Sequence, residues 1–220
     1  MVFLRSIGLF ALLSLGTASA AVVWNNGTPV ADVNNQNGSI MSDTNQADDF
    51  QLLVTTDLTA IRFWSTEFTA ADRLPLIFWQ ILSDAPGTPG SVIASGSAAP
   101  TITAAGTNAG SPQFQNDFNI SVLGLAAGTY WLALHNGSYT DINNPTNGVP
   151  YDYYWSWTDQ SNPTTNTGQG SFLPSDPWIG TSAENAFVVF GDAVGTPEPA
   201  ALLLTSVGIG ALALLRRRRA

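Results

Sequence analysis

Across residues 21–195 the apolar side chains come in short runs broken by turn dipeptides, and nowhere do they take the spacing of a capped amphipathic helix. Candidate strands fall at 50–56, 58–65, 74–82, 92–96, 114–122, 128–135, 151–158 and 186–191. Their Val, Ile, Phe, Trp and Tyr residues suit a pleated, half-buried surface. Several runs alternate: in Ala60-Ile61-Arg62-Phe63-Trp64, Ile61 and Phe63 face one way, Arg62 and Trp64 the other. Asn26-Gly27, Asn37-Gly38, Pro86-Gly87, Pro89-Gly90, Asn136-Gly137 and Asn147-Gly148 mark turns between the runs. This pattern predicts an all-β fold, an antiparallel jelly-roll-like sandwich, occupying 21–190 as one domain. Two long loops, 141–150 and 160–178, are rich in Asn, Thr, Ser, Gly and Pro.

Charge narrows the partners. Residues 21–195 hold 15 acidic side chains against Arg62 and Arg73, a formal charge of −13, and the chain has no lysine. Such a surface repels nucleic acid, which is not expected as a partner, and can attract divalent cations. The absence of cysteine excludes disulfides, thiolate metal sites and cysteine nucleophiles. Seven Trp, eleven Phe and five Tyr supply the apolar area for a packed core instead.

The catalytic inventory is thin. His135 is the one histidine, and no Gly-x-Ser-x-Gly elbow supplies a nucleophile for it. No catalytic residue is assigned, and the chain reads as a non-enzyme. A secreted glycoside hydrolase would need two carboxyl groups ~5 Å or ~6.5–9.5 Å apart, and the spacing of Glu67, Glu184 and the turn aspartates specifies no such pair. It is the weakest alternative. Asp43, Asp48 and Asp49, in an Asn/Asp-rich stretch with Asn45, are candidate calcium ligands because hard oxygen donors suit that ion. Their spacing does not match an EF-hand loop, and no cofactor is committed. Asp48 or Asp49 can equally fix a strand start by accepting backbone N–H bonds. In Tyr151-Asp152-Tyr153-Tyr154-Trp155-Ser156-Trp157 the odd-numbered rings share one face of a strand. Tyr153, Trp155 and Trp157, with Trp178 in a loop, are candidates for stacking on sugars; the competing reading packs the strand's aromatic face into the core.

The two ends predict export and anchoring. Arg5, the apolar run 7–15 and Ala18-Ser19-Ala20 form a signal-peptide pattern, with Ala18 and Ala20 as the small residues of the cleavage site and 1–20 removed. At the other end, a linker at 191–199 contains Pro197-Glu198-Pro199 and leads into the uncharged stretch 200–215. As a helix that stretch spans ~24 Å, and snorkelling side chains would close the gap to a ~30 Å hydrocarbon core. Arg216, Arg217, Arg218 and Arg219, within the tail 216–220, predict a cytoplasmic end to this transmembrane helix, with the β domain outside.

The ending from Thr196 to Ala220 resembles the PEP-CTERM sorting signal of Gram-negative bacteria, in which a Pro-Glu-Pro motif, a transmembrane segment and an arginine cluster follow in that order. The resemblance implies recognition of Pro197, Glu198 and Pro199 by an exosortase, a membrane-embedded cysteine transpeptidase. It also implies association with exopolysaccharide and biofilm-like extracellular matrix. A second similarity runs through Ala47-Asp48-Asp49-Phe50, Ile61-Arg62-Phe63-Trp64, Ile81-Leu82-Ser83-Asp84, Gly87-Thr88-Pro89-Gly90, Leu125-Ala126-Ala127-Gly128-Thr129-Tyr130-Trp131-Leu132 and Ala186-Phe187-Val188-Val189-Phe190-Gly191. This order resembles the β-sandwich ectodomains attached to such signals, which mostly lack an assigned activity. The expectation is an inner-membrane-anchored precursor that becomes a structural or adhesive protein of the cell surface or matrix. The alternative is a carbohydrate-binding module of the extracellular polysaccharide.

Overall fold

A computed structural model describes residues 20–30, 38–108, 110–138, 153–158, 168–171, 176–181 and 183–195. Ala18, Pro197, Glu198, Pro199, the stretch 200–215 and Arg216–Arg219 lie outside them. Among the described residues no helix is long and apolar enough to cross a membrane.

The strands are β1 (Ala21–Asn25), β2 (Ser39–Ile40), β3 (Asn45–Leu52), β4 (Thr56–Glu67), β5 (Ile77–Ala85), β6 (Thr88–Ala98), β7 (Thr101–Asn108), β8 (Ser111–Leu125), β9 (Gly128–Asn136), β10 (Tyr153–Trp155), β11 (Trp157–Thr158), β12 (Gln169–Ser171), β13 (Ile179–Gly180), β14 (Glu184–Asn185) and β15 (Phe187–Ala193). All pairings between them are antiparallel. One sheet has β4 as its spine. On one side β4 pairs β8, which carries β7; on the other, β15 with β1 pairs most of its length and β10 with β2 pairs its last three residues. The second sheet runs β13-β12-β3-β9-β5-β6, and β11 with β14 forms a separate two-stranded pair. The result is an all-β, sandwich-like arrangement.

Apolar alternation accounts for the core. Leu58, Ile61, Phe63, Phe118, Ile120, Val122, Phe187 and Val189 from the first sheet meet Phe50, Leu52, Ile77, Trp79, Ile81, Leu132 and Leu134 from the second. Arg62 and Trp64 lie on the opposite face of β4, as the alternation predicts: Arg62 pairs with Asp117, and Trp64 packs with Ala186 and Val188. Leu58 and Ile61 have opposite parity yet share the core. The register shift explains this: Leu58 opposes Gly191 while Ala60 opposes Phe190, so Thr59 is an extra residue that advances the phase by one. Gly191 is required there, because a Cβ would fall 2.5 Å from the Asp57 carbonyl oxygen.

Several strands and boundaries differ from the sequence reading: β1, β2, β12, β13 and β14 were not expected, β12 falls within the expected loop 160–178, and Pro89-Gly90 lies inside β6 rather than in a turn. Strand β3 begins at Asn45 rather than residue 50, so Asp48 and Asp49 lie inside a strand and not in a turn. They can do so because β9 and β12 satisfy the β3 backbone on both sides. Strand β7 was not expected, since Thr101–Asn108 is built of small, mostly exposed residues with little apolar signal. The expected strand 151–158 is interrupted at Ser156, whose N–H goes to the Trp64 carbonyl, and continues as β10 and then β11.

Candidate functional site

The described residues concentrate their unusual chemistry where β3 meets β14. Asp48 and Asp49 on β3 and Glu184 on β14 each place a carboxylate oxygen within 4.8 Å of the others. Asp48 and Asp49 have no exposed surface, and Glu184 is half-buried. Strand β14 is held by pairing Glu184 with Thr158 and Asn185 with Trp157. The Asn185 N–H then donates to Asp48 Oδ2 at 2.5 Å, and the Asp49 N–H to Asp48 Oδ1 at 2.9 Å. A third segment closes over the group. Asn26 follows β1, and its N–H donates to the Phe187 carbonyl. Its Nδ2 donates to the Asn185 carbonyl at 2.9 Å and to Glu184 Oε2 at 3.3 Å.

Three acids so close in a dry setting disfavour full ionisation. Burial pushes the Asp48 carboxyl well above the usual carboxylate range; the Glu184 charge adds to this, and Asp49 contributes less. The Asn185 N–H works in the opposite direction. Both domain arginines are engaged elsewhere, Arg62 by Asp117 and Arg73 by Glu67. In metal-free buffer the unfolded chain releases the Asp48 proton near pH ~3.9, whereas the folded chain retains it to higher pH. Stability conferred below about pH 4 is therefore lost as pH rises through the folded value. Denaturant titrations in chelator from about pH 4 to 8 should show this decline in the wild type and a flatter profile in Asp48→Asn.

One oxygen of each carboxyl lies within 4.8 Å of the others, no farther than the ~5 Å of a retaining glycosidase. A sugar must enter between the two groups, however, and neither Asp48 nor Asp49 offers it surface. Of the calcium candidates, Asp48 and Asp49 come together in this group, while Asp43 is not part of it. Burial raises the Asp43 carboxyl as well. Glu184, Asn185 and Asn26 went unread as site residues. Asn185 reaches Asp48, and Asn26 reaches Glu184 and Asn185, across sequence separations of over a hundred residues, which no local pattern records.

The aromatic candidates separate. Tyr153 and Trp155 are wholly buried in the core, correcting their assignment to sugar stacking: a ring without an exposed face cannot receive a pyranose. Trp157 is half-buried and donates its Nε1 to Ser39 Oγ at 2.9 Å. Trp178 packs on Ala47, Leu82, Trp131 and Ala133, so it is a half-buried cover on the outer face of the second sheet rather than a free platform. His135 is fully buried within β9. A cavity of about 250 Å³ near β12 and β13, lined by Ile40, Thr44, Gln46, Ile179 and Thr181, is mostly apolar.

In comparisons with known proteins, the chain matches no family model and no curated protein.

Proposed function

We propose that the protein is exported and becomes a structural or adhesive component of the cell surface or extracellular matrix, delivered through a PEP-CTERM-type tail and processed by an exosortase. The observation that carries this reading is the ordered ending: Pro197-Glu198-Pro199, the uncharged stretch 200–215, then Arg216–Arg219. The signal-peptide pattern at the other end supports it. Strand β1 starts at Ala21, the first residue left by a cut after Ala20, and the last strand ends at Ala193, three residues into the expected linker and ahead of Pro197. The sheets thus occupy the span between the two processing signals. On this reading the sandwich is a jelly-roll-like ectodomain, 200–215 is a membrane helix, and 216–220 stays in the cytoplasm.

Replacing Pro197, Glu198 and Pro199 together by alanine tests the proposal. The expected result is accumulation of a membrane-bound precursor with loss of the surface or matrix pool, read by fractionation and immunoblotting. Unchanged release and localisation would overturn it.

A further inference from the structure

We infer that the Asp48–Asp49–Glu184 group is a calcium site that ties the start of the domain to its penultimate strand. Two observations besides the acids point to a cation. Asn26 Oδ1 is buried and makes no hydrogen bond among the described residues, although Asn26 Nδ2 lies against Glu184. Turning that amide over would set Oδ1 between the Asn185 carbonyl and Glu184 Oε2, and a cation is what holds three such oxygens together. Asn185 is also wholly buried, and neither Oδ1 nor Nδ2 has a partner among the described residues. Its backbone N–H is on Asp48, and its amide packs against Gly168, where an added Cβ would come within 2.9 Å of Nδ2. Gly168 in turn precedes Gln169, which pairs with Ala47, so the Asn185 side chain sits beside the Asp48 position of the β3–β12 ladder.

Buried charge is tolerated when it is paired or coordinates a metal. The donor set is entirely hard oxygen, which selects calcium or magnesium. Coordination geometry favours calcium. Mg²⁺ demands near-ideal octahedral placement of its oxygens, whereas Ca²⁺ accepts six to eight oxygens in irregular geometry, which suits three carboxylates brought within 4.8 Å of one another by two separate strands. The ion would bridge residues 26, 48–49 and 184–185, joining β1, β3 and β14.

The test uses the purified full-length chain in detergent, stripped with chelator and returned to about 10 mM calcium, roughly a hundredfold over the ~10⁻⁴ M dissociation constant of an extracellular site. The unfolding midpoint should rise by about 5–10 °C. Terbium should luminesce when the tryptophans are excited, since Trp157 pairs with Asn185 and Trp131 with Asp49. Glu184→Gln should abolish both responses, while its midpoint in chelator equals or exceeds that of the wild type because one like charge is gone; Asp43→Asn should retain both. The site is overturned by a wild-type midpoint unchanged by calcium with no terbium signal, or by responses that survive Glu184→Gln but vanish in Asp43→Asn. An equal shift with magnesium would overturn the assignment to calcium.

Discussion

Alanine in place of Trp155 is expected to cost about 4 kcal/mol of folding stability, measured as a lowered urea midpoint at unchanged slope. The indole has no exposed surface. It meets Phe63 edge-on at 6.4 Å and Phe187 at 5.6 Å between ring centroids, so its loss opens a cavity between two rings of the first sheet. Its Nε1 donates to the Ala186 carbonyl at 2.9 Å. That carbonyl also receives the Trp64 N–H at 3.4 Å, while the Ala186 N–H goes to the Ser156 carbonyl. Trp155 therefore bolts the end of β10 to the entry of β15. Phenylalanine restores most of the volume without the donor and should cost only about 1–2 kcal/mol. A Trp155→Ala protein with an unshifted midpoint would show that the ring lies outside the core.

A comparable loss, about 3–5 kcal/mol near neutral pH, is expected for Arg73→Met. Glu67 is 1 % exposed and receives Arg73 through Nε at 3.0 Å and Nη2 at 2.8 and 2.6 Å. Removing the arginine leaves a buried carboxylate without its cation, and also strips the guanidinium from the Phe114 ring, 4.5 Å away. Ser65 Oγ still donates to Glu67 Oε1 at 3.0 Å, which does not offset a missing charge. Burial already pushes the Glu67 carboxyl above its ordinary range, against the lowering effect of Arg73. Without Arg73 the folded value rises further, so the variant's deficit should shrink on acidification and grow as pH rises. Glu67→Gln combined with Arg73→Met should recover most of the stability. Additive losses in that double variant would contradict an interacting pair.

The sequence carried the apolar architecture well, because one-sided burial writes itself as period two. Ile61 and Phe63 were legible from alternation alone, and the turn at Pro86-Gly87 lies between β5 and β6 as its residues predict. Polar strand segments were not legible. Asn45-Gln46-Ala47-Asp48-Asp49 has the composition of a loop, and its extended form depends on strands contributed by residues 128–136 and 169–171. The aromatic run was read with both outcomes open; burial of Tyr153 and Trp155 follows from pairing with Glu67 and Ser65 at the end of β4, a long-range contact. The acidic group was half legible. Asp48 and Asp49 stood out by proximity, but Glu184 is a lone acid in its own neighbourhood and acquires meaning only through the fold.

The spine of the first sheet is made early in the chain and completed late. Strand β4 pairs along Thr56–Phe63 with β15, and among the described strands β1 pairs with β15 alone. A chain emerging N-terminus first can zip β3, β5, β6 and β9 together, yet β1 has no place and one flank of β4 stays open until residue 187 arrives. Docking of β1 and closure of that flank thus await the last described strand, so the two ends of the domain lock together only after the rest of the sandwich is available.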